Sequence, residues 1–95
     1  MNNTLALSSL AMDLKRVALG IHRGSLTMAE RFTQEAMKRK QGTDTTTLKP
    51  YMQSIIEKLE DTLSSSDLGK KAEDSLMYST LIQNYVLKEQ VPLSE

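Results

Sequence analysis

The chain has 95 residues, with 12 basic and 12 acidic side chains, so its formal net charge is zero and no overall field draws it to DNA or a membrane. The absence of Cys excludes a disulfide scaffold, a zinc ribbon and cysteine catalysis, and the longest uncharged run, residues 75–87, falls well short of the roughly 20 residues that a membrane span needs. Leu, Ile, Val and Phe together make up 22 of the 95 residues, enough for the one modest core of a single small domain.

The first predicted helix runs from about Thr4 to Gly24. Leu7, Leu10, Leu14, Val17 and Ile21 recur at alternating steps of three and four, which puts them on one helical face. Thr4 is placed to cap the start, and Gly24 to cap the end in a left-handed conformation. The second helix is expected to open at Thr27-Met28-Ala29-Glu30, a capping-box pattern, and to bury a narrow face of Met28, Phe32 and Ala36. Lys38, Arg39 and Lys40 crowd its last turn, where cations favour the helix dipole, and Gly42 ends it. The rival reading is one helix from Thr4 to Gln41. The break is preferred because Gly20 and Gly24 each cost about 1 kcal/mol relative to Ala in a helix interior.

Residues 42–47 read as a linker. Pro50 suits the first turn of a third helix, where its missing N–H goes unneeded. Met52, Ile55, Ile56, Leu59 and Leu63 form the core face of that helix. Ser64-Ser65-Ser66 breaks the pattern, and Ser66 or Asp67 is placed to cap a fourth helix from Leu68 to Gln90. Leu68, Ala72, Leu76, Ile82 and Val86 are its expected core face. Ser75 and Ser79 lie between them as small residues on the core face that allow close helix approach, with hydroxyls expected to bond back to their own helix. Pro92 stops the helix, and residues 91–93 read as a tail. The expected fold is all-α, a small up-and-down bundle of four helices, or of three if the first two are continuous.

Two helices carry more apolar residues than one buried face needs. Leu5, Met12 and Leu19 lie seven apart, roughly opposite the main stripe of the first helix. Tyr78, Leu81 and Tyr85 form a second stripe on the fourth. These six are the candidate partner interface, because Tyr and Met with Arg at the rim is interface-like composition. A homodimer is the commonest closed solution, and a place in a larger assembly is the other form of the same reading. The alternative is that the first and fourth helices are central and bury both faces within one chain.

Charge is uneven along the chain. Residues 1–49 carry eight basic and four acidic side chains, a net of +4, and residues 50–95 carry the reverse, a net of −4. Arg16, Arg23, Arg31, Lys38, Arg39 and Lys40 are therefore candidate contacts to nucleic-acid phosphates. The competing reading, that the two halves attract one another, is preferred, because single-strand binders interleave basic residues with aromatics and this half has only Phe32.

Catalytic chemistry finds little support. The single His22 cannot supply the paired Glu-x-x-His motifs of a di-iron bundle or the ligands of a zinc site. A phosphorelay module would show Lys and Gly three and four positions after its His, whereas Arg23 and Gly24 follow at once. The Arg16…His22 spacing resembles the Arg…His motif of helical RNases of the HEPN type. On a straight helix those two residues point about 120° apart, so they converge only if Gly20 bends the helix. No serine sits in a nucleophile motif and no Gly-rich loop could cradle phosphate. No metal, catalytic residue or cofactor is assigned. The N-terminus lacks a basic segment ahead of its apolar stretch and reads as an amphipathic helix, not a signal peptide, so a cytoplasmic protein without a membrane partner is expected.

Overall fold

A computed structural model describes residues 3–90 of the chain. Four α-helices follow one another: α1 (Asn3–His22), α2 (Leu26–Gln41), α3 (Pro50–Leu63) and α4 (Leu68–Gln90). A single 3-10 turn (Thr45–Thr47) lies between α2 and α3, and among the described residues there is no strand. The expectations for residues 91–93 fall outside the described part.

The break between α1 and α2 is real, and its chemistry explains it. Gly24 takes φ +74°, the left-handed region. The Gly24 N–H donates to the Ile21 carbonyl and the Ser25 N–H to the Gly20 carbonyl, the paired bonds of a Schellman cap. Ser25 then serves at once as the N-cap of α2, its hydroxyl accepting from the Met28 N–H at 3.3 Å. Ser25, positioned by the turn, caps α2 in place of Thr27, and with Met28 at the third position the expected capping box does not form. Thr4 likewise lies inside the first turn of α1 and not ahead of it.

Gly20 neither ends nor interrupts α1. It is buried at the crossing with α2, where an added Cβ would meet the Ala29 backbone nitrogen at 2.8 Å. Ala29, Thr33 and Ala36 are the buried residues of α2, and such short side chains let the two helix axes approach closely. Each helix runs antiparallel to the one before it. Asp13 meets Arg39 across α1 and α2, Lys49 meets Glu89 across the ends of α3 and α4, and Ala11 meets Ser79 across α1 and α4. The ring order is α1–α2–α3–α4, with α1 diagonal to α3.

The core is built from the stripe of α1 (Leu7, Leu10, Leu14, Val17), that of α3 (Met52, Ile56, Leu59, Leu63), and Ile82, Tyr85 and Val86 of α4. A helix as short as α3 is marginal alone in water; burying those four side chains at about 1.5–3 kcal/mol each is what holds it. Pro50 occupies its first turn, and Lys49, its N-cap, offers no side-chain hydrogen bond. Asp67 caps α4 by accepting from the Lys70 N–H at 3.1 Å. At the opposite end of the bundle the Asn3 amide donates to the Asp44 carbonyl and to Thr47 Oγ1, tying the linker to α1. The Asp44 carboxylate accepts from the Thr46 hydroxyl and N–H, which holds its pKa below the usual carboxylate value.

The core face of α4 is the expected one at Ala72, Ser75, Ser79, Ile82 and Val86, which are buried, whereas Leu68 and Leu76 are exposed. Neither serine bonds back to α4. Ser79 Oγ donates across the interface to the Ala11 carbonyl at 2.6 Å, and the fully buried Ser75 Oγ has no partner among the described residues. A buried hydroxyl without a partner costs about 1–3 kcal/mol. Ser75→Ala is therefore expected to raise stability by about 1 kcal/mol and Ser79→Ala to lower it by a similar amount, read by chemical denaturation. Equal losses in both would contradict this placement.

Candidate functional site: the outer face of α1 and α4

α1 packs against α2 on one flank and α4 on the other, so its outer ridge has no covering element. Leu5 on that ridge is 74% exposed and Met12 is 50% exposed, while Leu19 is half-buried. Met12 and Lys15 form one wall of an open groove of about 490 Å³, whose other wall is α4 with Leu76, Thr80, Gln83 and Asn84. Ala11 and Ser79 lie at its floor, where the two helices touch through the Ser79 hydrogen bond. Leu76, at 43% exposed, is the apolar residue of α4 on this face. Leu87 lies eleven residues further on, three helical turns along the same side, and is also exposed.

The second stripe of α4 does not join that of α1. Tyr85 is buried, only 6% exposed, and belongs to the core. Its hydroxyl accepts from the Lys49 N–H at 3.2 Å and its ring meets Tyr51 edge-on at 5.7 Å between centroids. Tyr78 packs against the core and lines a groove between α3 and α4 with Lys58, Asp61 and Asp74. Leu81 is exposed beside them. As an interface candidate Tyr85 is therefore corrected: it is part of the core, since α4 lies between two neighbours and its buried arc is wider than that of a surface helix. Within the expected set, Leu5, Met12, Leu19, Tyr78 and Leu81 keep exposed or half-exposed positions. Leu76 was missed because its spacing from Ala72 imitates a core position, although the arc is centred on the serines.

The six basic candidates divide. Arg39 Nε lies 2.7 Å from Asp13 Oδ2, and Lys40 Nζ lies 3.9 Å from Glu60 Oε1, so both already have acidic partners. Arg16 and Arg31 stand over the half-buried Phe32 ring, at 5.2 and 5.6 Å from its centroid. Arg23 and Lys38 are exposed. The preferred charge reading holds in part: Lys40–Glu60 and Lys49–Glu89 do join the basic half to the acidic half. Asp13 is the one buried carboxyl among the described residues. Burial pushes its pKa up, and the Arg39 guanidinium only partly offsets this.

His22 is the exposed last residue of α1. Because α1 passes through Gly20 unbroken, Arg16 and His22 point about 120° apart and are not brought together. Among the described residues no group of three His, Asp or Glu side chains is gathered to hold a metal ion, and no helix is long and apolar enough to cross a membrane. The chain matches no family model, no curated protein and no solved structure.

Proposed function

We propose that the protein works in the cytoplasm by protein–protein association, and that its partner across the α1–α4 face is a second copy of itself. The observation that carries this is the pairing of exposed Met12 with exposed Leu76 in one open groove, continued along the two helices by Leu5 and Leu87. An uncovered apolar band on a small domain is a feature of binding surfaces, and Met adapts its shape to what it meets. Two further features favour a like partner. The formal net charge is zero, so copies do not repel. Lys15 lines the α1 wall of the groove, and an opposite charge, Glu73, lies on α4 three residues before Leu76. A two-fold axis through the groove sets each copy's α1 edge against the other's α4 edge, so Lys15 faces Glu73 twice in an isologous contact.

Light scattering on the size-fractionated protein tests it. The expected mass is twice that of the chain. Met12→Glu with Leu76→Glu is expected to give a monomer whose far-UV circular dichroism is unchanged, since both side chains are at the surface. Lys15→Glu weakens the dimer and Lys15→Glu with Glu73→Lys restores it. A monomer at tens of micromolar wild-type protein overturns the proposal, as does a double variant that unfolds instead of dissociating.

A further inference from the structure

The other shoulder of α1, where it meets α2, carries a different chemistry. Two guanidinium groups from two helices are held against a single phenyl ring, Arg16 at 5.2 Å and Arg31 at 5.6 Å. Such stacking orders the guanidinium planes at a cost in like-charge repulsion. Neither Arg forms an ion pair among the described residues, and neither do Arg23 or Lys38. The Asp13 carboxylate, which interacts with the charge of Arg16, is buried and hydrogen-bonded to Arg39. Glu35, four residues after Arg31 on α2, forms no ion pair with either Arg among the described residues.

The four cations also fall in line. Arg16 and Arg23 are seven residues apart on α1, and so are Arg31 and Lys38 on α2. Seven residues are two turns, about 10.5 Å along the axis and on the same side. The helices are antiparallel, with Gly20 against Ala29 and Asp13 against Arg39, and Arg16 and Arg31 both reach the Phe32 ring. Arg23 therefore extends the row towards the hairpin turn and Lys38 towards the opposite end, a row of about 16 Å. Among charged ligands, one that is itself a line of anions fits such a row, and the planar, pre-ordered Arg fork matches phosphate oxygens in pairs.

We propose that the outer α1–α2 seam binds the phosphate backbone of a nucleic acid, with Arg16 and Arg31 gripping it over Phe32 and Arg23 and Lys38 as the outlying contacts. Because Phe32 is half-buried under the two Arg side chains, no aromatic face is open for base stacking, and binding is independent of sequence. None of the four cations lines the α1–α4 groove, but Arg16 and Arg23 follow Met12 and Leu19 by one turn, so binding is measured on the Met12→Glu, Leu76→Glu variant as well as on the wild type, which tells the two proposals apart.

Fluorescence anisotropy with labelled oligothymidylate, oligouridylate and a DNA duplex, between about 50 and 200 mM salt, tests it. Four phosphate contacts on a single strand give a slope of log affinity against log salt of about −2.8. Arg16→Ala with Arg31→Ala is expected to lower affinity at the lowest salt at least about tenfold and to bring the slope to about −1.4. Arg23→Ala with Lys38→Ala, which disturbs no packing, should flatten it equally, and Lys58→Ala with Lys70→Ala on the α3–α4 side should leave it unchanged. Comparable affinities for the two homopolymers support backbone reading, and the duplex shows whether one or two strands are accepted. No binding at the lowest salt, an equal loss from the Lys58 and Lys70 changes, or equal affinity for a polyglutamate peptide would each overturn the proposal.

Discussion

Gly20→Val is expected to be the most damaging single change in α1. An added Cβ at this position lies 2.8 Å from the Ala29 nitrogen and 3.0 Å from its Cα. The obstacle is backbone, which cannot swing aside as a long side chain could, so α1 and α2 must separate. Overpacking of this kind costs about 1–3 kcal/mol for a methyl group and more for a branched side chain. Ala regains about 1 kcal/mol of helix propensity over Gly, so Gly20→Ala should lose only about 0–2 kcal/mol. Val offers little such return, and its loss takes a large part of the 5–15 kcal/mol typical of a folded domain. Gly24 provides the contrast. A Cβ there meets nothing within 4 Å, and only its φ of +74° resists substitution. Gly24→Asn should therefore cost well under 1 kcal/mol, because Asn tolerates the left-handed region, whereas Gly20→Asn should cost several. Denaturant melts followed by circular dichroism would separate them, and a Gly20→Val variant as stable as the wild type would show that the helices do not cross this closely.

That crossing illustrates what the amino-acid pattern can and cannot convey. Helical periodicity with Pro50 and the Ser64–Ser66 break placed α3 and α4 close to their observed ends, and Gly24 announced its own cap, because these signals are local. Gly20 was legible only as a helix weakener; its purpose depends on Ala29, a neighbour from another helix. The same limit governs the surface. Leu5 and Met12 are outward because they stand opposite a strong core stripe, and that is visible in α1 alone. Tyr85 and Leu76 exchange their expected positions because the buried arc of α4 is set jointly by α1 and α3, and no single-helix pattern encodes that. Likewise the six basic residues looked alike until Asp13 and Glu60 claimed two of them and Phe32 gathered another two.

Asp13→Asn and Arg39→Ala, one from each side of a single ion pair, are expected to move stability in opposite directions. The Asp13 side chain is 5% exposed and accepts from Arg39 Nε at 2.7 Å, while the Arg39 side chain is 43% exposed. Burial is the larger influence on the carboxyl and raises its pKa; the Arg39 hydrogen bond and charge oppose it, Glu35 adds to it and Arg16 subtracts. The sign of the pH dependence follows. A carboxyl whose pKa is higher in the folded state than the unfolded value of about 3.9 favours folding when protonated. Its penalty is absent below that value, grows as the pH rises through the folded pKa and is complete above it. Asp13→Asn removes the penalty while keeping an oxygen for Arg39, so it should equal the wild type near pH 3 and exceed it by about 1 kcal/mol at pH 7. Arg39→Ala leaves the buried carboxylate without its partner. Breaking a buried pair in this way costs about 3–5 kcal/mol, and the partial exposure of Arg39 brings the expectation here down to about 2–3 kcal/mol. That loss should shrink as the solution is acidified and Asp13 takes up its proton. Thermal melts of both variants from acid to neutral pH decide the matter: parallel curves would mean that Asp13 does not titrate in a buried setting, and a large loss for Asp13→Asn at pH 7 would mean that its charge is a net support of the α1–α2 interface.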